Sequence, residues 1–179
     1  MSATFEKCIP VIMQHEGGSA YTNHPNDPGG STKYGISLLF LSKLSLLEGD
    51  IDHDGDIDAD DIKQLSEPQA DALYLKYFWN PLNIENLKND LLILHIFDHG
   101  VNAGTRTAVK ILQQLVRVSP DGSIGSMTES AISIYSASHN IVGDYANARK
   151  RYYDSIIDKN LKLSVFKNGW YNRVDSTHF

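Results

Sequence analysis

The chain has 179 residues, 41% of them apolar and 21% charged, an ordinary balance for a folded protein, and its length suits one domain or two small lobes sharing a core. With Cys8 as the only cysteine there is no internal disulfide framework, and no apolar run approaches the ~20 residues of a membrane span, so no membrane insertion is expected. The net charge is −6, and the 16 basic residues are too scattered for a nucleic-acid footprint.

The pattern predicts a first helix over 5–15, capped by Thr4, with Phe5, Cys8, Ile9, Ile12 and Met13 on one side. Pro10 removes a donor there and is expected to kink it. Residues 17–35 read as a loop or small hairpin, because Gly17, Gly18, Pro25, Pro28, Gly29 and Gly30 break any period. "ISLLFLSKLSLL" (36–47) is apolar enough for a buried helix, and a short helix is expected near 59–65. Ser66 reads as the cap of a helix with Pro68 in its first turn. A boundary is expected near 80–90. Beyond it "LLILHIFDHGVNAG", "TRTAVKILQQLVRV", "GSMTESAISIYSAS" and "NIVGDYANARKRYYDSIIDKN" are helical in pattern, and "GWYNRV" reads as a closing aromatic anchor. Asp98, His99 and Asn102 in "FDHGVNAG" read as polar residues near a helix end, where Asp and Asn most often cap.

The acidity is local. Residues 48–61, "EGDIDHDGDIDADD", hold eight of the 22 acidic side chains and no Lys or Arg. The spacing fits a twelve-residue calcium loop: Asp50, Asp52 and Asp54 at positions 1, 3 and 5, Gly55 at the sharp turn, the Asp56 carbonyl at position 7 and Asp61 at position 12. A solvated acidic loop is the plainer reading of a charge run, but it gives no reason for glycine at the one demanding position. A structural Ca2+ is therefore expected. Position 12 more often holds Glu; Asp61 followed by "IKQL" resembles the loops of dockerin modules, which pair two where this chain has one.

Several chemistries drop out. "HEGGS" lacks the second histidine of a zincin, no "GxSxG" or phosphate-binding "GxxxxGK[ST]" occurs, and a lone Cys on an apolar helix face is more often core than nucleophile. Carboxylate chemistry remains. Cleaving a glycosidic bond needs a proton donor and a group to trap or stabilise an oxocarbenium-like centre, and Glu16 at a helix end can be that donor. Asp27 in the polar loop can stay ionised and Thr32 can hold a water. Asp27 before Pro28-Gly29 is equally a turn residue, and Tyr21 and Tyr34 can stack on sugars or simply bury their rings.

These residues carry a resemblance. "EGG" (16–18) with "PNDPGGSTKYGIS" (25–37) is similar to the N-terminal signature of glycoside hydrolase family 108, N-acetylmuramidases related to phage lysozymes. "FDHGVNAG", "AVKILQQL", "DGSIG", "ANARKRYY" and "NGWYNRV" resemble the peptidoglycan-binding region that follows in that family. The resemblance implies a mostly α, two-lobed, lysozyme-like fold with a small β or loop lip at the active site. It also implies a catalytic lobe over 1–88 and a helical peptidoglycan-binding lobe over 89–179; the calcium loop 50–61, within the first lobe, departs from the family pattern as an insertion. It implies cleavage of the β-1,4 bond after N-acetylmuramic acid, with Glu16 as catalytic acid and Asp27 and Thr32 completing a Glu–Asp–Thr set; Tyr21, Tyr34 and Asn102, read from the residues alone, are expected toward substrate. The family commonly has an aromatic directly after "EGG"; here Ser19 and Ala20 precede Tyr21. A carboxyl separation of roughly 6.5–9.5 Å predicts inversion.

The expected partners are glycan strands and stem peptides, met by a monomer. The N-terminus lacks a basic region followed by an apolar run, so synthesis in the cytoplasm and release to the periplasm by a holin-like or other non-Sec route is expected. A lytic transglycosylase and a non-catalytic, calcium-stabilised wall-binding module are the rival readings.

Overall fold

The computed structural model describes residues 3–23 and 29–179. Ten α-helices, one π and two 3-10 segments, and one two-stranded antiparallel hairpin make up the regular structure of these residues, so the expectation of a mostly α chain holds. Two compact units are present, one formed by residues 12–74 and one by the N-terminal residues through Val11 together with 75–179. No helix of the described residues is long and apolar enough to cross a membrane.

Helix α1 (Ala3–His15) begins before Thr4, which lies inside it rather than capping it, and runs through Pro10. The five apolar side chains foreseen on one side are each 7% exposed or less, while Pro10 faces solvent. Burying Phe5, Ile9, Ile12 and Met13 contributes about 1.5–3 kcal/mol each, which outweighs the ~3 kcal/mol of a mid-helix proline.

In the 12–74 unit, α1 leads to the hairpin β1 (Thr32–Lys33) and β2 (Ile36–Ser37), with Thr32 opposite Ser37 and Lys33 opposite Ile36. The single buried helix expected over 36–47 is replaced by β2 and two short helices, α2 (Leu38–Leu41) and α3 (Leu46–Gly49). Serines break the run: Ser37 Oγ accepts the Phe40 N–H at 3.2 Å to start α2, and Ser45 offers its carbonyl to the Glu48 and Gly49 N–H groups to start α3. Leu39, Leu46 and Leu47 end up exposed, Leu47 at 92%, so only part of that apolar run is core. Helix α4 (Ala59–Gln64) starts at a capping box between Asp58 and Asp61. Ser66 precedes α5 (Glu67–Tyr74), where the Gln69 side chain accepts the Ser66 N–H at 3.0 Å. Ile36, Leu41, Ile62, Leu65 and Tyr74 form the centre of this unit.

In the other unit, α5 passes into one turn of π-helix over Leu75–Trp79. Trp79 is buried edge-on against Phe5 (5.3 Å) and Phe97 (5.1 Å). Helix α6 (Asp90–Ala103) is buried at every position from Leu92 to Gly100, the signature of a central helix. Helices α7 (Thr105–Leu115) and α9 (Ile141–Lys159) pack on it, and α8 (Ser126–Ser136) and α10 (Lys167–Asp175) pack on α9. The aromatic anchor expected in "GWYNRV" is present: Trp170 stacks on Tyr153 at 4.9 Å and 18°.

Candidate active site

Glu16 follows directly on α1. Its N–H bonds the Ile12 carbonyl at 2.9 Å, and the chain turns away when the Gly18 N–H closes on the Met13 carbonyl at 2.9 Å. The Glu16 side chain is half-buried. The Gly18 carbonyl then accepts the Tyr34 N–H at 2.9 Å, which ties the end of α1 to the tip of the hairpin. That tip is a two-residue turn, Tyr34 at φ +53° and Gly35 at φ +72°, the type I′ geometry that matches the twist of two antiparallel strands. Tyrosine in the left-handed region is unfavourable, and it is held there by the Tyr74 hydroxyl, which donates to the Tyr34 carbonyl at 3.0 Å. Gly35 lies so close beneath Glu16 that a methyl group on it would sit 2.6 Å from Glu16 Cβ, 2.8 Å from Cγ and 2.5 Å from Tyr74 Oη. The glycine is thus required twice, by its backbone angle and by the stem of the carboxyl it supports.

Thr32 stands on β1. Its backbone forms an antiparallel bridge to Thr22 (2.8 and 2.9 Å), and its hydroxyl donates to the Gly30 carbonyl at 3.3 Å. Tyr21, 37% exposed, donates to Ser31 Oγ at 3.0 Å. Tyr34 has Lys33 Nζ 5.5 Å from its ring centre. Asp27 lies outside the described residues. The structure therefore brings Glu16, Tyr34 and Gly35 together at one place and puts Thr32 two residues back along the same hairpin. Gly35 and Tyr74 were missed in the sequence; the signal for the first was the "YG" doublet between two short extended pairs.

Comparison with known proteins bears on what this carboxyl serves. The family model described as Glycosyl hydrolase 108 matches residues 9–104, more than half of the chain, and the model described as Predicted Peptidoglycan domain matches 107–175. The chain belongs to the glycosyl hydrolase 108 family. A solved structure, that of Brucella abortus SagA, is similar with a TM-score of 0.77 and 31% identity over 97% of this chain and 91% of that one. No curated protein matches. The chain is accordingly a glycoside hydrolase of lysozyme-like helical fold, and peptidoglycan is its substrate class.

The acidic loop of the hydrolase gathers its carboxylates into two groups, Asp50, Asp52 and Asp54, and Asp56, Asp58 and Asp61, the oxygens within each lying within 4.8 Å of one another. Gly55 turns at φ +104°, as position 6 demands, and Ile57 packs into the space a Gly49 side chain would fill. The donor set is hard oxygen throughout, which fits Ca2+. Asp61 is 1% exposed, and its carboxylate accepts the N–H groups of Ile51 (2.6 Å), Asp58 (2.6 Å) and Asp52 (3.3 Å). Asp58, at position 9 of the twelve, was not foreseen as part of the cluster. The crowding has an electrostatic cost: the charge of Asp54 foremost, then partial desolvation, raises Asp56, and desolvation foremost, then Asp54, raises Asp52.

In the 75–179 unit, Asp98 and His99 are not helix-end residues. Both lie within α6 and are fully buried. Asp98 accepts Arg149 Nη2 at 2.5 Å, Arg173 Nε and Nη2 at 2.9 and 2.8 Å, and the Thr177 hydroxyl at 3.3 Å. Arg149, itself 0% exposed, also donates to His95 Nδ1 at 3.1 Å. Tyr145 Oη gives its proton to the Ala108 carbonyl, so the 3.0 Å contact from His99 Nδ1 must carry the histidine's proton. Both histidines are neutral: burial first and the Arg149 charge second push His95 down to about 4 and His99 well below its ordinary value. Cys8, by contrast, is simply core, and burial pushes its thiol up to about 12. Asn102 is exposed on α6, with its Oδ1 accepting the Tyr153 hydroxyl at 2.7 Å.

Proposed function

We propose that the hydrolase is an N-acetylmuramidase cleaving the β-1,4 bond between N-acetylmuramic acid and N-acetylglucosamine, with Glu16 as general acid. The observation that carries this reading is the seat of Glu16: a half-buried carboxyl at a helix end, its stem held against Gly35 of a strained hairpin, within the region matched to the glycosidase family. A fixed acid is what protonation of a glycosidic oxygen needs, because the catalysis comes from holding donor and acceptor in register. In this reading Asp27 stabilises the developing positive charge or activates water, Thr32 orients that water, and Tyr21, Tyr34 and Asn102 contact the substrate. Residues 1–88 act as the catalytic lobe and 89–179 as the wall-binding lobe. A structural Ca2+ held by Asp50, Asp52, Asp54, the Asp56 carbonyl and Asp61 pins the inserted loop. The protein works as a monomer in the periplasm after holin-like or other non-Sec release.

The test is Glu16→Gln. Clearing of peptidoglycan in a zymogram should vanish while sedimentation with sacculi persists. Mass spectrometry of native digests should show reducing N-acetylmuramic acid ends. Products ending in 1,6-anhydro sugars, or clearing by Glu16→Gln at the native rate, would overturn the assignment.

A further inference from the structure

Between α9 and α10 the chain makes a six-residue 3-10 segment, Leu161–Phe166. Asn160 pins its start: the side-chain Oδ1 accepts the Lys162 N–H at 3.2 Å and the carbonyl accepts the Leu163 N–H at 3.0 Å. Four of the six residues are large and apolar, yet only Leu163 is partly turned inward. Leu161 and Val165 are 75 and 76% exposed and Phe166 is 53% exposed. Exposed apolar side chains scattered singly need no explanation, but three together on one capped corner mark a contact surface.

The neighbouring charges say what kind of surface it meets. Lys159 and Lys162 flank Leu161, both exposed, and among the described residues neither has an acid within ion-pair distance. Lys167, at the other end, is held by Asp154 at 2.7 Å. Asp158 is the one acid in residues 158–168 against these three lysines, in a chain of net charge −6. The other exposed leucines lack this setting: Leu46 and Leu47 run straight into Glu48 and the acidic loop. Apolar side chains among uncompensated lysines match a partner that is apolar beneath and negative above, which is the interface of an anionic lipid bilayer.

We propose that the corner between α9 and α10 docks the hydrolase on an anionic membrane surface, with Leu161, Val165 and Phe166 against the headgroup–acyl boundary and Lys159 and Lys162 meeting lipid phosphates. Six residues are far too few to span a bilayer, so the contact is peripheral. A glycan strand fits the corner less well, because sugar faces are gripped by aromatic rings and hydrogen-bonding groups, and Leu161 and Val165 supply neither. The docking goes beyond the muramidase reading and is independent of which bond Glu16 cuts.

Flotation of the full chain with vesicles tests this, comparing phosphatidylglycerol mixed into phosphatidylcholine with phosphatidylcholine alone. Binding to the anionic vesicles should be stronger by about tenfold or more and should weaken with added salt. The double variants Lys159→Glu/Lys162→Glu and Leu161→Ser/Val165→Ser should each lower anionic-vesicle binding by about tenfold or more. All four side chains are exposed, so melting temperatures should hold, and Leu47→Ser, at a still more exposed leucine beside the acidic loop, should float like the native chain. No binding to anionic vesicles, or native binding by either double variant, overturns the proposal. So does a loss confined to sedimentation with lipid-free sacculi, which would assign the corner to the wall instead.

Discussion

Gly35→Ala gives the sharpest test of how the acid is held. Alanine at φ +72° costs about 1–2 kcal/mol in the left-handed region. Its methyl would start 2.6 and 2.8 Å from the Glu16 stem and 2.5 Å from Tyr74 Oη. Carbon contacts are comfortable near 3.5–4.0 Å, so the neighbours must retreat by roughly 1 Å, and overpacking of this kind costs about 1–3 kcal/mol more. The expected loss is therefore about 2–5 kcal/mol in urea unfolding, which a typical domain of 5–15 kcal/mol survives. Activity should suffer beyond that. A displacement of about 1 Å in a catalytic group costs on the order of 100-fold, so clearing of sacculi, assayed well below the unfolding midpoint, should fall by about that factor. Tyr74→Phe removes the hydroxyl and makes room on one side only. Added to Gly35→Ala, it should recover some stability and little rate. A Gly35→Ala protein that stays folded and clears sacculi at the native rate would refute the idea that the hairpin positions Glu16.

The neutral histidines set a pH dependence. The unfolded chain takes up protons near pH 6.5 that His95 refuses until about 4. Their contribution is thus complete above about pH 6.5 and is lost as the pH falls toward 4, at up to about 1.4 kcal/mol per pH unit for each of His95 and His99. Urea midpoints measured through that window should decline, His95→Gln should flatten the slope, and a level profile would contradict the buried assignment. Asp98→Asn leaves Arg149 and Arg173 facing a neutral amide in a buried site and should cost about 3–5 kcal/mol by the same assay; a loss no larger than that of an exposed pair, about 1 kcal/mol or less, would show that water reaches the cluster. Free Ca2+ at about 100 times its dissociation constant should stabilise the protein by about 2.7 kcal/mol. Asp50→Asn should abolish that gain, and identical melting of chelator-treated and calcium-supplied protein would count against a bound ion.

What the sequence revealed and what it hid divide along a physical line. The stripe of α1, the helices after residue 89 and the sharp turn at Gly55 are all set by neighbours within a turn or two, and each was readable from spacing. "ISLLFLSKLSLL" misled because a run that is apolar at nearly every position has no period to show which leucines face solvent; only its serines carried the information. The contact of Gly35 with Glu16 joins residues whose meeting depends on the Gly18–Tyr34 bond, so no local pattern announces it.

The deeper miss is Asp98, read as a helix-end residue because an acid in a helix is most cheaply placed where its carboxylate meets free N–H groups or water. Burial at mid-helix is ruled out for an isolated aspartate, since the desolvation cost is several kcal/mol. It becomes tolerable only when Arg149 and Arg173 arrive from α9 and α10, 51 and 75 residues away. A trace of this was present in the chain: Tyr145, Arg149, Tyr153 and Ile157 recur every four residues on α9, which puts an arginine in the middle of a stripe that is otherwise aromatic and aliphatic. A cation on an inward face requires a buried anion somewhere in the fold, and α6, buried throughout from Leu92 to Gly100, contains one acid within that stretch. Pairing the two misplaced charges, rather than assigning each to its nearest helix end, leads to the ion cluster at the centre of this unit.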